Sequence, residues 1–240
     1  MTTLGATQAL DLVARQLLSP GDRVLVDEPC NGNLVRLIRL CGGEPVGVPR
    51  RQDGPDLELL DDILSRHRVR AFFCNSTFHN PTGAGLTPRA AFGMLKRTEA
   101  HDFLIIEDDV YGDFHPGGRQ TFAELDGLER VVHTILADGT YLRHARAIQR
   151  RLATQQQLTQ KALRNLGWRF EVAPAGGMFL WAGHPDLPDL SGFIAGLEEK
   201  GILLLPGEAF AVTADYRAMT RINAAHFSPT LAGAFRVGEA

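Results

Sequence analysis

Residues 69–114 read VRAFFCNSTFHNPTGAGLTPRAAFGMLKRTEAHDFLIIEDDVYGDF. The stretch opens on one short apolar run and closes on another, at 103–106. Each is the length of a strand and is bounded by turn residues. A helical pattern fills 87–102. Thr87 stands where an N-cap is wanted, and Pro88 at the first position, where a missing N–H costs nothing. Strand, helix and strand at this spacing predict an α/β unit with parallel pairing.

The same alternation runs upstream. Residues 6–18 place Ala9, Leu10, Leu12, Val13, Leu17 and Leu18 largely on one helical side. A turn and a strand at 23–26 follow. A helix is predicted at 33–43, a short strand at 44–50 and a helix at 56–67. Downstream of residue 132 the character changes. A long amphipathic helix is predicted over 141–166, rich in Arg and Gln. Short strands follow at 168–174 and 176–183, then a helix at 190–201 and strands at 202–207 and 220–227. This is an α+β pattern with antiparallel strands. The boundary falls at 133–140, which divides the chain into 1–135 and 136–240.

Composition sets outer bounds. The chain has 240 residues, 44% hydrophobic and 22% charged, enough apolar mass for one large core or two smaller ones. A net charge of −3 gives no electrostatic case for nucleic-acid binding by this chain. No apolar run approaches the ~18 residues of a membrane span. The opening MTTLGATQAL lacks the basic and apolar regions of a signal peptide. The three cysteines, Cys30, Cys41 and Cys74, are widely spaced. Reduced thiols in a cytoplasm are expected, with neither a disulfide nor a metal framework.

Ligands of open α/β sheets sit beyond the C-terminal strand ends. Two loops qualify. HNPTG, residues 79–83, follows the strand at 71–75; a plain Pro-Gly turn would also explain it. EDDVY, residues 107–111, follows the strand at 103–106, and places Asp108 and Tyr111 at its end. The ordered set GATQAL, HNPTG, IEDDVY, GGMFLW and RINAAHF resembles the fold-type I pyridoxal-phosphate enzymes. It is similar to class I and II aminotransferases, and most of all to the aminotransferase-like domain of GntR/MocR-type regulators. The resemblance implies an α/β large domain with a mostly parallel sheet and a smaller α+β C-terminal domain.

It also implies roles. Asp108 would keep the cofactor's pyridine nitrogen protonated, since a buried carboxylate stabilises the cation. Tyr111 and Asn80 would bond the ring's phenolic oxygen. Gly5, Ala6 and Thr7 would offer backbone N–H groups to the phosphate at a helix N-terminus. Arg221 would grip the carboxylate of an amino acid or 2-oxo acid with its planar fork. A homodimer is expected, because sites of this kind are built at a dimer interface.

Two departures stand out. Asn31 occupies the position near which the family stacks an aromatic ring on the cofactor. The lysine that should bind the cofactor covalently is missing. Lys96, Lys161 and Lys200 are the only lysines, and none follows a strand in the required place. No catalytic residue is therefore assigned, and pyridoxal phosphate is expected to bind reversibly. Two readings stay open: an amino-acid-acting member of the family impaired in catalysis, or a non-catalytic cofactor and amino-acid binding module of a MocR-type regulator.

Overall fold

A computed structural model describes residues 3–115, 121–125 and 140–238. The N-terminal part runs α1 (Ala6–Leu17), β1 (Arg23–Glu28), α2 (Gly32–Leu40), β2 (Glu44–Arg51), β3 (Gly54–Pro55), α3 (Leu57–Arg66), β4 (Ala71–Cys74), α4 (Pro88–His101) and β5 (Leu104–Glu107). The short α5 (Phe122–Leu125) follows. The strands form one sheet in the order β3-β2-β1-β4-β5. All pairings are parallel except β2 with β3.

Side-chain alternation along the strands builds two cores. On β1 and β4, Leu25, Phe72 and Cys74 face α3 and α4, meeting Leu60, Leu64, Ala91 and Met94. Val24, Val26, Ala71 and Phe73 face α1 and α2, meeting Ala14, Val35 and Ile38. Strands buried on both faces read as continuous apolar runs, which is why the run at 71–74 shows no alternation.

The C-terminal part begins with α6 (Thr140–Asn165) and continues through β6 (Arg169–Phe170), β7 (Phe179–Gly183), α7 (Ser191–Glu198), β8 (Leu205–Pro206), β9 (Thr220–Asn223) and α8 (Pro229–Ala232). Its antiparallel sheet has the order β6-β7-β9-β8. Trp168 and Leu163 are buried against Leu180, Ile222 and Phe235, and the Trp168 indole donates to the Phe235 carbonyl at 2.9 Å.

Several boundaries differ from expectation. β1 extends to Glu28, because Glu28 is buried by a polar anchor described below. Only Leu205–Pro206 of the strand predicted at 202–207 forms; Leu203 is 79% exposed. Leu12 and Val13 of α1 are each 38% exposed, although periodicity placed them inward. With Leu104 and Ile106 of β5 they line an open apolar trough, because β5 is the last strand of its sheet. The predicted domain boundary at 133–140 lies outside the described residues but for Thr140.

Beneath the parallel sheet's C-terminal end lies a buried ion pair. Arg50 Nη1 is 3.1 Å from both carboxylate oxygens of Asp27, and both side chains are almost inaccessible. Arg50 Nη2 donates to the Gly85 carbonyl at 2.9 Å. Removing one partner strands the other charge in a low dielectric. Arg50→Leu is expected to lower unfolding free energy by about 3–5 kcal/mol, while Arg66→Leu, which breaks the exposed Arg66–Asp62 pair, costs less than about 1 kcal/mol. Urea unfolding of the two variants checks this; equal losses would contradict it.

Candidate active site

The loops after β1, β4 and β5 leave the same end of the sheet, as parallel pairing requires. Cys74 pairs with Glu107, so the next residues, Asn75 and Asp108, emerge side by side. The Asp108 N–H donates to the Cys74 carbonyl at 2.9 Å. The Asn75 amide then donates to the Asp108 carbonyl at 2.6 Å, and its oxygen accepts the Asn80 N–H at 3.0 Å. One side chain thus ties the two loops together. Asn75 escaped the sequence reading; its signal is that it follows β4 as Asp108 follows β5.

The HNPTG turn closes on itself. Gly83 N–H reaches the His79 carbonyl at 2.6 Å, and the His79 N–H reaches the Ala84 carbonyl at 2.8 Å. Gly83 has φ +71°, and a Cβ there would meet the Phe179 carbonyl at 2.8 Å. Only glycine suits both conditions. His79 Nδ1 lies 2.8 Å from the Thr82 hydroxyl, and its Nε2 lies 3.7 Å from Asp27.

These groups surround a cavity of about 330 Å³. Its floor is polar: Asp27, Asn75, His79, Asn80, Asp108 and Tyr111 line it. Ala6 and Thr7 from the first turn of α1 also line it, as does Asn31. Gly5 stands just outside, as the N-cap of α1, with φ +102° and no side chain to satisfy the helix N–H groups. Arg221 is not in the lining. It reaches the site through Asn80, donating from Nη1 to the Asn80 side-chain oxygen at 2.9 Å. Its guanidinium lies over Phe179 at 4.3 Å and Phe210 at 5.0 Å. Because Asn80 accepts from Arg221, its side-chain NH₂ is left pointing elsewhere as a donor.

The electrostatics follow from burial. It raises the Asp108 carboxyl above its usual value, opposed by the Val110 N–H. It raises the Tyr111 phenol too, helped by Asp108 and opposed by Arg221. It lowers the Arg221 guanidinium, opposed by Tyr111. Among the described residues, no cation pairs with Asp108.

A second anchor brings the C-terminal part over the site. Glu28 Oε1 accepts the N–H groups of Val212, Thr213 and Ala214 at 3.0, 2.8 and 2.8 Å, and Oε2 accepts the Thr213 hydroxyl at 3.0 Å. The Cys30 N–H donates to the Phe210 carbonyl at 2.8 Å. Phe210, which flanks Arg221, is therefore fixed against the loop that carries Asn31.

No lysine lines the cavity among the described residues. Lys96 lies over the Phe92 ring at 4.7 Å on α4, and all three lysines are exposed. Among the described residues no helix is long and apolar enough to cross a membrane.

A parallel sheet with a carboxylate and a phenol at one strand end, and an amide–guanidinium pair facing them, defines the class: a fold-type I α/β protein with a cofactor-sized polar cavity. The chain belongs to the aminotransferase class I and II family, whose model matches residues 1–141 and again 127–233. Pyridoxal phosphate is the cofactor of that family. Aromatic-amino-acid aminotransferase 1 of Thermococcus litoralis is 24% identical, over 93% of this chain and 67% of that enzyme. The HTH-type transcriptional regulator YdcR of Escherichia coli is 24% identical, over 93% of this chain and 58% of that protein. The crystal structure of Pyrococcus horikoshii kynurenine aminotransferase superposes with a TM-score of 0.85 at 24% identity, covering 98% of this chain and 72% of that one. The alignment with the Thermococcus enzyme runs over 280 residues but uses about 223 of the 240 here, so roughly 57 positions face gaps in this chain. The two family-model matches overlap at 127–141, where the family's lysine was missed.

His79 gives the site a pH signature. Burial, with Arg50 nearby, holds its imidazole well below the usual value, so the folded protein keeps it neutral. The unfolded chain takes up a proton near pH 6.5. Below about pH 6.5 the unfolded state binds more protons, and stability falls with pH by up to about 1.4 kcal/mol per unit from this group. His79→Gln removes that contribution. Urea unfolding at about pH 5.5 and pH 7.5 should show a shallower loss in the variant than in the parent; equal losses would contradict the assignment.

Proposed function

We propose that this chain binds pyridoxal phosphate reversibly and holds an amino acid or 2-oxo acid beside it, with transamination weak or absent. The observation that carries the reading is the convergence of Asp108, Tyr111 and the Asn80–Arg221 pair on one cavity. The residues fit the cofactor. Asp108 offers a half-buried carboxylate with no cation among the described residues, which suits a protonated pyridine nitrogen. Asn80 offers its side-chain NH₂, and Tyr111 its hydroxyl, to an oxygen on the ring. The first turn of α1 offers the N–H groups of Ala6 and Thr7 to a phosphate.

When bound, the cofactor supplies an electron sink for charge at the substrate's α-carbon. The rest is the work of this chain's own groups. Asp108 keeps a proton on the ring nitrogen. Arg221, held between Phe179 and Phe210 by Asn80, presents its remaining N–H groups to a carboxylate. No lysine amine reaches the cavity to move a proton at the α-carbon, and positioned acid–base groups are worth roughly 10²–10⁴-fold. The likeness to YdcR over 93% of the chain agrees with a binding module in a regulator.

The remaining parts of the reading concern organisation. Residues 1–135 form the cofactor-binding unit and 136–240 the linking helix and smaller unit. The chain pairs as a homodimer, which would cover part of the apolar surface at Leu12, Val13 and Leu104. A cytoplasmic setting accords with the three free cysteines.

An absorbance titration with pyridoxal phosphate tests the central point. A saturable band that dialysis removes is expected. Asp108→Asn keeps the size and removes the charge, and should weaken binding about 10–100-fold, the worth of a hydrogen bond to a charged group. Unchanged affinity in a folded Asp108→Asn variant would overturn the role of Asp108.

A further inference from the structure

The cavity has a second lobe, which the polar floor does not use. Its walls are Leu10 of α1 and Leu34, Leu37 and Leu40 of α2. On α2, positions 33, 36, 37 and 40 recur at helical spacing and share one face. Leu10, Leu34 and Leu37 pack at their bases on the core between helices and sheet. Leu40 is 70% exposed, so the lobe opens to solvent at that end.

Asn31 stands between lobe and floor. Its side chain is occupied as the N-cap of α2, with the amide oxygen accepting the Asn33 N–H at 3.2 Å. It is small, and it is held by the helix whose first turn it caps. No aromatic ring of the described residues lines the lobe; Phe73 and Tyr111 line the cavity on the strand and loop side.

The charges in the lining are unevenly placed. Arg36 is its one guanidinium or ammonium group among the described residues, and it lies on the leucine face of α2. It has no carboxylate partner among them. The two carboxylates of the lining, Asp27 and Asp108, belong to the strand ends of the floor. An amphipathic anion entering the cavity is repelled from the floor, drawn to Arg36, and given apolar walls between.

We propose that this lobe is a binding site for an aromatic carboxylate, with its ring in the leucine trough beside Asn31 and its carboxylate on Arg36. A flat ring suits a slot between two packed helices. An aromatic ring buries a large apolar area with little conformational entropy to lose. The carboxylate meets a guanidinium fork that no protein acid occupies. The site goes beyond the cofactor reading and does not depend on it, since every group it uses belongs to α1, α2 and the loop before α2.

Titration calorimetry on the full chain without pyridoxal phosphate tests this, so that failure of the cofactor reading and failure of this one are separable. The probes are indole-3-acetate, indole and 4-methylpentanoate. Indole-3-acetate is expected to bind saturably, at least tenfold tighter than either indole or 4-methylpentanoate. Arg36→Gln, an exposed position, should lower indole-3-acetate affinity at least tenfold and leave indole unchanged. Asn31→Trp, which fills the lobe, should abolish both; circular dichroism establishes that each variant is folded. Three outcomes overturn the proposal: no saturable binding of indole-3-acetate at millimolar concentration, full affinity retained in Arg36→Gln, or binding of 4-methylpentanoate as tight as that of indole-3-acetate.

Discussion

The site depends first on one piece of register. β4 and β5 run parallel and end together, Cys74 opposite Glu107. Their next residues have no choice but to leave the sheet side by side. Asn75 converts that adjacency into a fixed frame, bonding the Asp108 carbonyl with one end of its amide and the Asn80 N–H with the other. A slip of one residue would turn every side chain of β5 to the opposite face, and Asp108 would no longer meet Asn80. The apolar crowding of Phe72 and Phe73 on the two faces of the sheet is what holds the register.

Polar anchoring completes the frame at two depths. Below, the Asp27–Arg50 pair joins β1 to β2 and, through Gly85, to the segment after HNPTG. A buried pair of this kind is weak evidence for stability, but breaking it is costly. Above, Glu28 gathers three successive N–H groups of 212–214. That carboxylate joins residues more than 180 positions apart in sequence, and it sets the C-terminal part where Arg221 can reach Asn80. A cofactor bed assembled from both ends of the chain is thereby kept in the absence of a covalent lysine.

Much of this was legible in the sequence. The strand-helix-strand alternation showed because buried parallel strands are apolar throughout and their crossover helices carry ordinary caps, such as Thr87 with Pro88. Asp108, Tyr111, Asn80 and Arg221 were visible as motifs in order, and the structure brings them together. What stayed hidden was the matrix between motifs. Asn75, Asp27, Arg50 and Glu28 act through partners far away in sequence, and no local pattern marks them. Asn31 was read only as a lost ring; its capping of α2 emerges from geometry. The exposed faces of Leu12 and Val13 misled periodicity, because an amphipathic helix gives the same signal whether or not a strand lies beneath it. Residues 202–207 misled it similarly: a short apolar run does not by itself say how much of it pairs.

The central claim is that the cofactor bed survives while the covalent tether does not. The direct measurement is the intact mass of the chain after saturation with pyridoxal phosphate, borohydride reduction and gel filtration, read beside the absorbance before the column. The account predicts a visible cofactor band before filtration, its loss on the column, and a protein mass with no stoichiometric addition. A stoichiometric cofactor adduct on Lys96, Lys161 or Lys200, retained through the column, would contradict it.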